Sequence, residues 1–211
     1  MKIRTETHVK VCGITSVADA QAAVQAGADS LGLVFYKPSS RFVSVETARE
    51  IALSVPPFVT LTALFVDASE QQIQAVLDVV PVGLLQFHGN ETDQECGRWR
   101  RRYIKALRIR PEASIEEMAN DYPGACGLLV DSYTKGVPGG TGESFNWQLL
   151  PAELVAAIGK PVILAGGLTP DNVSNAIEQV APYAVDVSSG VEISPGKKDP
   201  EKMRAFIEAV K

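Results

Sequence analysis

Histidine and cysteine are scarce, with two and three copies in 211 residues. Cys12, Cys96 and Cys126 are odd in number and far apart, with neither a disulfide framework nor the spacing of a metal site. A reduced, cytoplasmic protein is the expectation, with no metal. No apolar run approaches the length of a membrane-spanning helix, and no signal peptide is evident, so no membrane partner is expected. Excess positive charge is missing too. The net charge of −5 and pI near 5.1 argue against a nucleic-acid partner. The one basic run, Arg98-Trp99-Arg100-Arg101-Arg102, reads as the solvated end of a helix. The dinucleotide fingerprint G-x-G-x-x-G is absent after the first apolar run, where Cys12-Gly13-Ile14-Thr15 stands instead. Internal repeats, linkers and low-complexity segments are absent as well.

What is present is an alternation. Strand-like runs fall near 8–12, 31–35, 60–66, 82–87, 103–109, 126–131, 161–165 and 184–188. Helical signals fill most of the gaps. Ser16 caps a helix with Val17, Ala20, Ala23 and Val24 on one face and Gly27 beyond its end. Ser69 opens another that buries Ile73, Val76, Leu77 and Val80. Thr169-Pro170 and Asp199-Pro200 each offer an N-cap followed by an N1 proline, the latter before Met203, Phe206, Ile207 and Val210. A short helix around 114–121 has the weakest signal. Eight parallel strands with about eight helices predict an α/β chain folded as one (β/α)8 TIM barrel over residues 1–211, a single domain near the lower size limit for that fold.

Two of the apolar runs end in glycine: Val162 through Gly166-Gly167, and Val185 through Ser188-Ser189-Gly190. One helix apart at the end of a barrel, such a pair predicts a phosphate site after strands 7 and 8, where backbone N–H groups meet an anion. A small phosphorylated molecule is the expected partner.

Alternation along a strand sorts side chains between the barrel axis and the helix layer. Val9, Val11, Leu85, Phe87, Leu128, Val130, Val185 and Val187 are expected to face the helices. Lys10, Cys12, Gln86, His88, Asp131, Asp186 and Ser188 then face inward, late on their strands, at the C-terminal mouth where barrel enzymes carry their sites. Each alone has a plain structural reading; together, Cys12, His88, Asp131, Asp186 and Ser188 suggest one shared site. Cys12 acts as a base only if it is partly thiolate. Lys10, two residues back, would lower its pKa, unless Asp186 neutralises Lys10. Asp131 acts as an acid only if its carboxyl holds a proton. A thiolate facing a protonated carboxyl suits proton shuttling at carbon, an isomerisation. His88 is the only inward histidine that could activate a nucleophilic thiol, and lining the pocket is its simpler role. After the second strand, Arg41 is either a solvated loop residue or an anchor for a substrate carboxylate. The Gly-rich segment 136–142 is no P-loop, since no Gly-Lys-Ser/Thr follows, and reads equally as a lid or a plain connection.

With Lys10-Val11-Cys12-Gly13-Ile14-Thr15, Phe35-Tyr36 through Ser40-Arg41, Gln86-Phe87-His88-Gly89-Asn90-Glu91, the stretch Asp131 to Gly142, Leu164 through Leu168 and Asp186 through Glu192, the chain resembles the phosphoribosylanthranilate isomerases of tryptophan biosynthesis over essentially its whole length. The resemblance implies an Amadori rearrangement of N-(5-phosphoribosyl)anthranilate to 1-(2-carboxyphenylamino)-1-deoxyribulose 5-phosphate, without metal or organic cofactor. It implies Asp131 as general acid, Cys12 as general base and Arg41 on the anthranilate carboxylate. Gly166, Gly167, Ser189 and Gly190 would hold the phosphate, with His88, Asp186 and Ser188 lining the pocket. Isomerisation of a related phosphosugar aminoaldose and non-catalytic binding of a phosphoribosyl ligand are the alternatives, and monomer and homodimer both remain open.

Overall fold

The structure is a computed structural model that describes residues 6–109, 114–132 and 147–211; the Gly-rich segment 136–142 lies outside the described residues. The elements run β1 (His8–Cys12), α1 (Val17–Ala26), β2 (Ser30–Val34), α2 (Val45–Ser54), β3 (Thr60–Phe65), α3 (Glu70–Val79), β4 (Leu84–Phe87) and α4 (Asp93–Gly97). They continue with β5 (Tyr103–Ile109), α5 (Ile115–Asn120), β6 (Gly127–Ser132), α6 (Ala152–Ala157), β7 (Val162–Leu164), α7 (Val173–Val180) and β8 (Ala184–Val187). A hairpin of β9 (Glu192–Ser194) and β10 (Lys197–Lys198) precedes α8 (Pro200–Val210). The first eight strands form a closed barrel in sequence order, and β8 returns to pair in parallel with β1. This is the (β/α)8 barrel that the alternation predicts.

Closure follows from the two faces of each strand. Val9, Val11, Leu85, Phe87, Leu128, Val130, Val185 and Val187 join one continuous core between barrel and helices. Ile104, Ala106, Leu129, Ile163, Ala165 and Ala184, of the opposite parity, form a separate cluster inside the barrel. A one-residue slip would turn the inward Lys10 and Asp186 into the apolar layer beneath the helices, so the register is strongly specified.

The helix ends follow the sequence in most cases. Ser16 and Ser69 accept hydrogen bonds from the backbone N–H groups of Asp19 and Gln72, and Ser69 with Gln72 completes a capping box. Helix α1 stops at Gly27, whose φ of 101° is open to glycine at little cost. Asp199 accepts from Glu201 and Lys202 ahead of the N1 proline, Pro200. Ser114 caps the short fifth helix. The basic run lies where α4 ends, its arginines exposed, and Arg98 pairs with Glu70. Among the described residues no helix is long and apolar enough to cross a membrane.

One cap differs. Helix α7 begins at Val173, after Asn172, rather than at Pro170 behind a Thr169 cap. The Asn172 side chain instead accepts from the Thr169 N–H at 2.8 Å and donates to the Gly167 carbonyl at 2.9 Å. These bonds hold 167–172 together as a turn ahead of the helix, where the Thr169 carbonyl accepts from the Val173 N–H at 3.1 Å. The β9–β10 hairpin has no counterpart among the expected strands.

Replacing the Asp199 cap should be measurable alone. Asp199→Ala is expected to lower unfolding stability by about 1 kcal/mol in urea titrations, with Asp199→Asn retaining most of it.

Candidate active site

Lys10 and Asp186 occupy paired positions on β1 and β8, side by side on the inner face at the seam where the barrel closes. Their side chains form an ion pair of 2.7 Å, Lys10 buried and Asp186 nearly so. Cys12 sits one inward position further along β1, also buried. Its register partner on β2 is Gly32, where a Cβ would come within 2.7 Å of the Cys12 sulfur and 3.1 Å of the Lys10 ammonium. The missing side chain is what gives the thiol and the ammonium their room.

The electrostatics differ from the simplest sequence expectation. Burial pushes the Cys12 thiol up, more than Lys10 pulls it down, and the Asp186 carboxylate adds to the rise. For Lys10, burial favours the neutral amine, but Asp186 and then Cys12 outweigh it and hold the amine above its ordinary value. Of the two alternatives, neutralisation of Lys10 by Asp186 therefore prevails, and the unliganded thiol is protonated at neutral pH.

Across the mouth, His88 Nε2 stands 3.4 Å from Asp131 Oδ2, with both side chains nearly buried. On its other side, His88 Nδ1 lies 3.1 Å from the amide nitrogen of Gln86, which is fully buried. When that amide donates to Nδ1, the neutral ring carries its proton on Nε2, toward Asp131.

Cys12, His88, Asp131, Asp186 and Ser188 line one cavity of about 460 Å³ at the C-terminal mouth, together with Arg41, Gly166, Gly167 and Ser189. Gly190 is not among its lining. A Cβ there would meet the Leu168 carbonyl oxygen at 1.9 Å, so this glycine lets the loop after β8 press against the loop after β7. Gly166 and Gly167 take φ of 89° and 67°, values that glycine reaches freely, and they turn the chain as it leaves β7. Ser188 donates to the Cys12 carbonyl at 3.0 Å, tying the end of β8 to the end of β1. An apolar patch of Val34 and Leu64 with Tyr36 and Val66 surrounds Cys12 and continues the cavity wall.

Arg41 is not a freely solvated loop residue. Its Nε and Nη2 each donate to Glu192 at 2.8 Å, a two-point fork. Glu192 also receives the Lys198 ammonium at 2.8 Å. Burial alone would push the Glu192 carboxyl up, but the Arg41 bonds and the Lys198 charge outweigh it and hold it below its usual range. Glu192 and Lys198 were not among the expected site residues, nor was Gln86. Strand parity does signal Gln86. Nothing in the sequence signals Lys198, whose place depends on a hairpin without a strong pattern.

A barrel with ionisable side chains gathered at its C-terminal mouth belongs, by architecture, to the (β/α)8 enzymes. The family model "N-(5'phosphoribosyl)anthranilate (PRA) isomerase" matches residues 9–209, and the chain belongs to that family. An N-(5'-phosphoribosyl)anthranilate isomerase of Pseudomonas aeruginosa is 57% identical over 204 residues, covering 97% of this chain and 95% of the relative. The crystal structure of phosphoribosyl anthranilate isomerase from Thermotoga maritima aligns with a TM-score of 0.88 at 38% identity, covering 97% of this chain and 98% of that one. A second isomerase structure, in complex with reduced 1-(o-carboxyphenylamino)-1-deoxyribulose 5-phosphate, aligns with a TM-score of 0.85 at 37% identity, with the same coverage.

The charge balance around Cys12 makes a direct prediction. Asp186→Asn leaves Lys10 uncompensated, so the thiol should titrate at lower pH than in the parent. Thiolate absorbance, or alkylation rate against pH, followed in a Cys96→Ser/Cys126→Ser background, should show that downward shift; an upward shift or none would mean that Asp186 does not raise the thiol.

Proposed function

We propose that Asp131 and Cys12 carry out, as general acid and general base, the isomerisation of N-(5'-phosphoribosyl)anthranilate that defines the family. The observation that carries this reading is that a thiol, a carboxyl, a guanidinium and glycine-turned loops all line one cavity. A substrate that carries a carboxylate, a phosphate and a reacting sugar matches that set of groups.

Asp131 delivers a proton to the ribose ring oxygen, and the C1′–O bond opens to a Schiff base. Cys12 removes the C2′ proton, and its electron pair moves to give the enolamine. Protonation at C1′ and loss of the O2′ proton then yield the ketone. Solvent returns the Cys12 proton to Asp131, so the cycle balances without redox or group transfer. The raised pKa of the empty-site thiol fits a base that ionises only when a cationic Schiff base stands beside it. His88, with its ring proton on Nε2, stabilises the Asp131 carboxylate left after proton delivery.

Arg41 spends two of its N–H donors on Glu192, and the remaining donors are free for the anthranilate carboxylate. Val34, Leu64, Tyr36 and Val66 take the aromatic ring. Backbone N–H groups of Gly166, Gly167, Ser189 and Gly190 take the phosphate. Such chemistry needs Cys12 to stay a free thiol, a state that a reducing cytoplasm would maintain.

Turnover is measured as the loss of anthranilate-type fluorescence from freshly generated substrate. Cys12→Ala and Asp131→Asn should each lower kcat by about a thousandfold or more, with the fold and phosphate affinity retained. Retained kcat in either variant removes that residue from its role. Arg41→Ala should raise KM about tenfold with a smaller change in kcat. Gly190→Ala, which drives a methyl into the Leu168 carbonyl, should weaken inorganic phosphate as a competitive inhibitor; unchanged inhibition would place the phosphate elsewhere.

A further inference from the structure

Behind the cavity wall lies a second charged cluster that the acid–base chemistry does not use. The Lys198 side chain is fully buried at the end of β10. Its ammonium donates to Glu192 at 2.8 Å, to the Ser188 carbonyl at 3.2 Å and toward the Ser188 hydroxyl at 3.4 Å. Glu192 in turn holds Arg41 through the two-point fork. One buried cation thus joins the Arg41 guanidinium, through Glu192, to the end of β8 that leads into the loop at Ser189–Gly190.

The hairpin that carries Lys198 is itself wedged between loops. Thr15, after β1, donates to the Gly196 carbonyl at 2.6 Å. Gly196 turns the hairpin with φ of 83°, and a Cβ there would meet the Ser40 carbonyl at 2.6 Å, next to Arg41. The hairpin therefore contacts the loops after β1 and β2 while belonging to the chain after β8.

A full burial of lysine is costly unless its charge is paired and its donors are used. A surface arginine needs no such support. The cost makes sense where the Arg41 guanidinium has to stay at a set distance from the phosphate loop, because a substrate gripped at both ends is held in reacting geometry only if that span is fixed.

We propose that Lys198 and Glu192, neither of which lines the cavity, are positioning residues that set the span between the carboxylate-binding arm at Arg41 and the phosphate loop at Ser188–Gly190. The proposal rests on the reading of Arg41 as the carboxylate anchor. Glu192 acts on the carboxylate end alone. Lys198 acts on both ends, through Glu192 and through Ser188.

Two competitive inhibitors separate these effects: reduced 1-(o-carboxyphenylamino)-1-deoxyribulose 5-phosphate, which carries carboxylate and phosphate, and ribose 5-phosphate, which carries phosphate alone. Glu192→Gln should weaken the first about tenfold and leave the second near its parent value. Lys198→Met should weaken both. KM should rise in each variant while kcat stays within about threefold of the parent. The double variant Glu192→Gln/Lys198→Met removes both charges, so it keeps the test alive where a single variant, left with an uncompensated buried charge, fails to fold. A folded double variant that still binds the carboxylate-bearing probe weakly supports the proposal, whereas parent-like binding of both probes makes the cluster purely structural and overturns it. Arg41→Ala distinguishes the two possible failures. If it weakens the carboxylate-bearing probe while the Glu192 and Lys198 variants do not, the span argument alone falls; if it leaves that probe unchanged, the anchor reading falls and takes the proposal with it.

Discussion

The Lys10–Asp186 ion pair is the constraint from which the site is built. It joins the first and last strands of the barrel, 176 residues apart in sequence, at the seam that closes the sheet. A buried pair of this kind adds little net stability, because desolvation offsets most of the attraction. What it supplies is geometry. With the carboxylate holding the ammonium, β1 and β8 are locked in one register, and Cys12 and Ser188 arrive at the mouth as neighbours. The same pair sets the charge that the thiol sees. Burial raises the Cys12 thiol above its ordinary value, and Asp186, by cancelling part of the Lys10 field, adds to that rise.

A second division of labour runs across the mouth. On the Asp131 side, a fully buried glutamine amide meets an imidazole, which faces the carboxyl. On the Arg41 side, full charges are paired in series from guanidinium through carboxylate to ammonium. The first arrangement places three polar side chains in series. The second resists movement, since displacing any member leaves a buried charge unpaired.

Much of this was legible in the sequence, and the reason is periodicity. The eight strands are short, buried on both faces and bounded by turn residues, so the runs 8–12 and 103–109 coincide with β1 and β5 and the others differ only at their ends. Parity placed Lys10, Cys12, Gln86, Asp131 and Asp186 inward because a strand has only two faces. What stayed hidden depends on contacts between distant segments. Thr169-Pro170 looks like a helix start, but Asn172 recruits that stretch into the loop after β7. The meeting of Arg41 with Glu192 spans 151 residues and leaves no mark in either local pattern. Lys198 reads as one more surface lysine beside Lys197, yet the hairpin exposes the first and buries the second.

The contact between Gly190 and the Leu168 carbonyl bears on how such a barrel can be rebuilt. Two loops that interlock through a missing side chain are a single part, although the chain makes them separately with a helix between. Grafting either one alone onto another barrel would bring a Cβ or a displaced carbonyl into space that its partner already fills. Cutting the chain between β7 and β8 would likewise separate two halves of one surface. In a fold often pictured as eight exchangeable strand–helix modules, the smallest unit that can be transplanted here is two modules long.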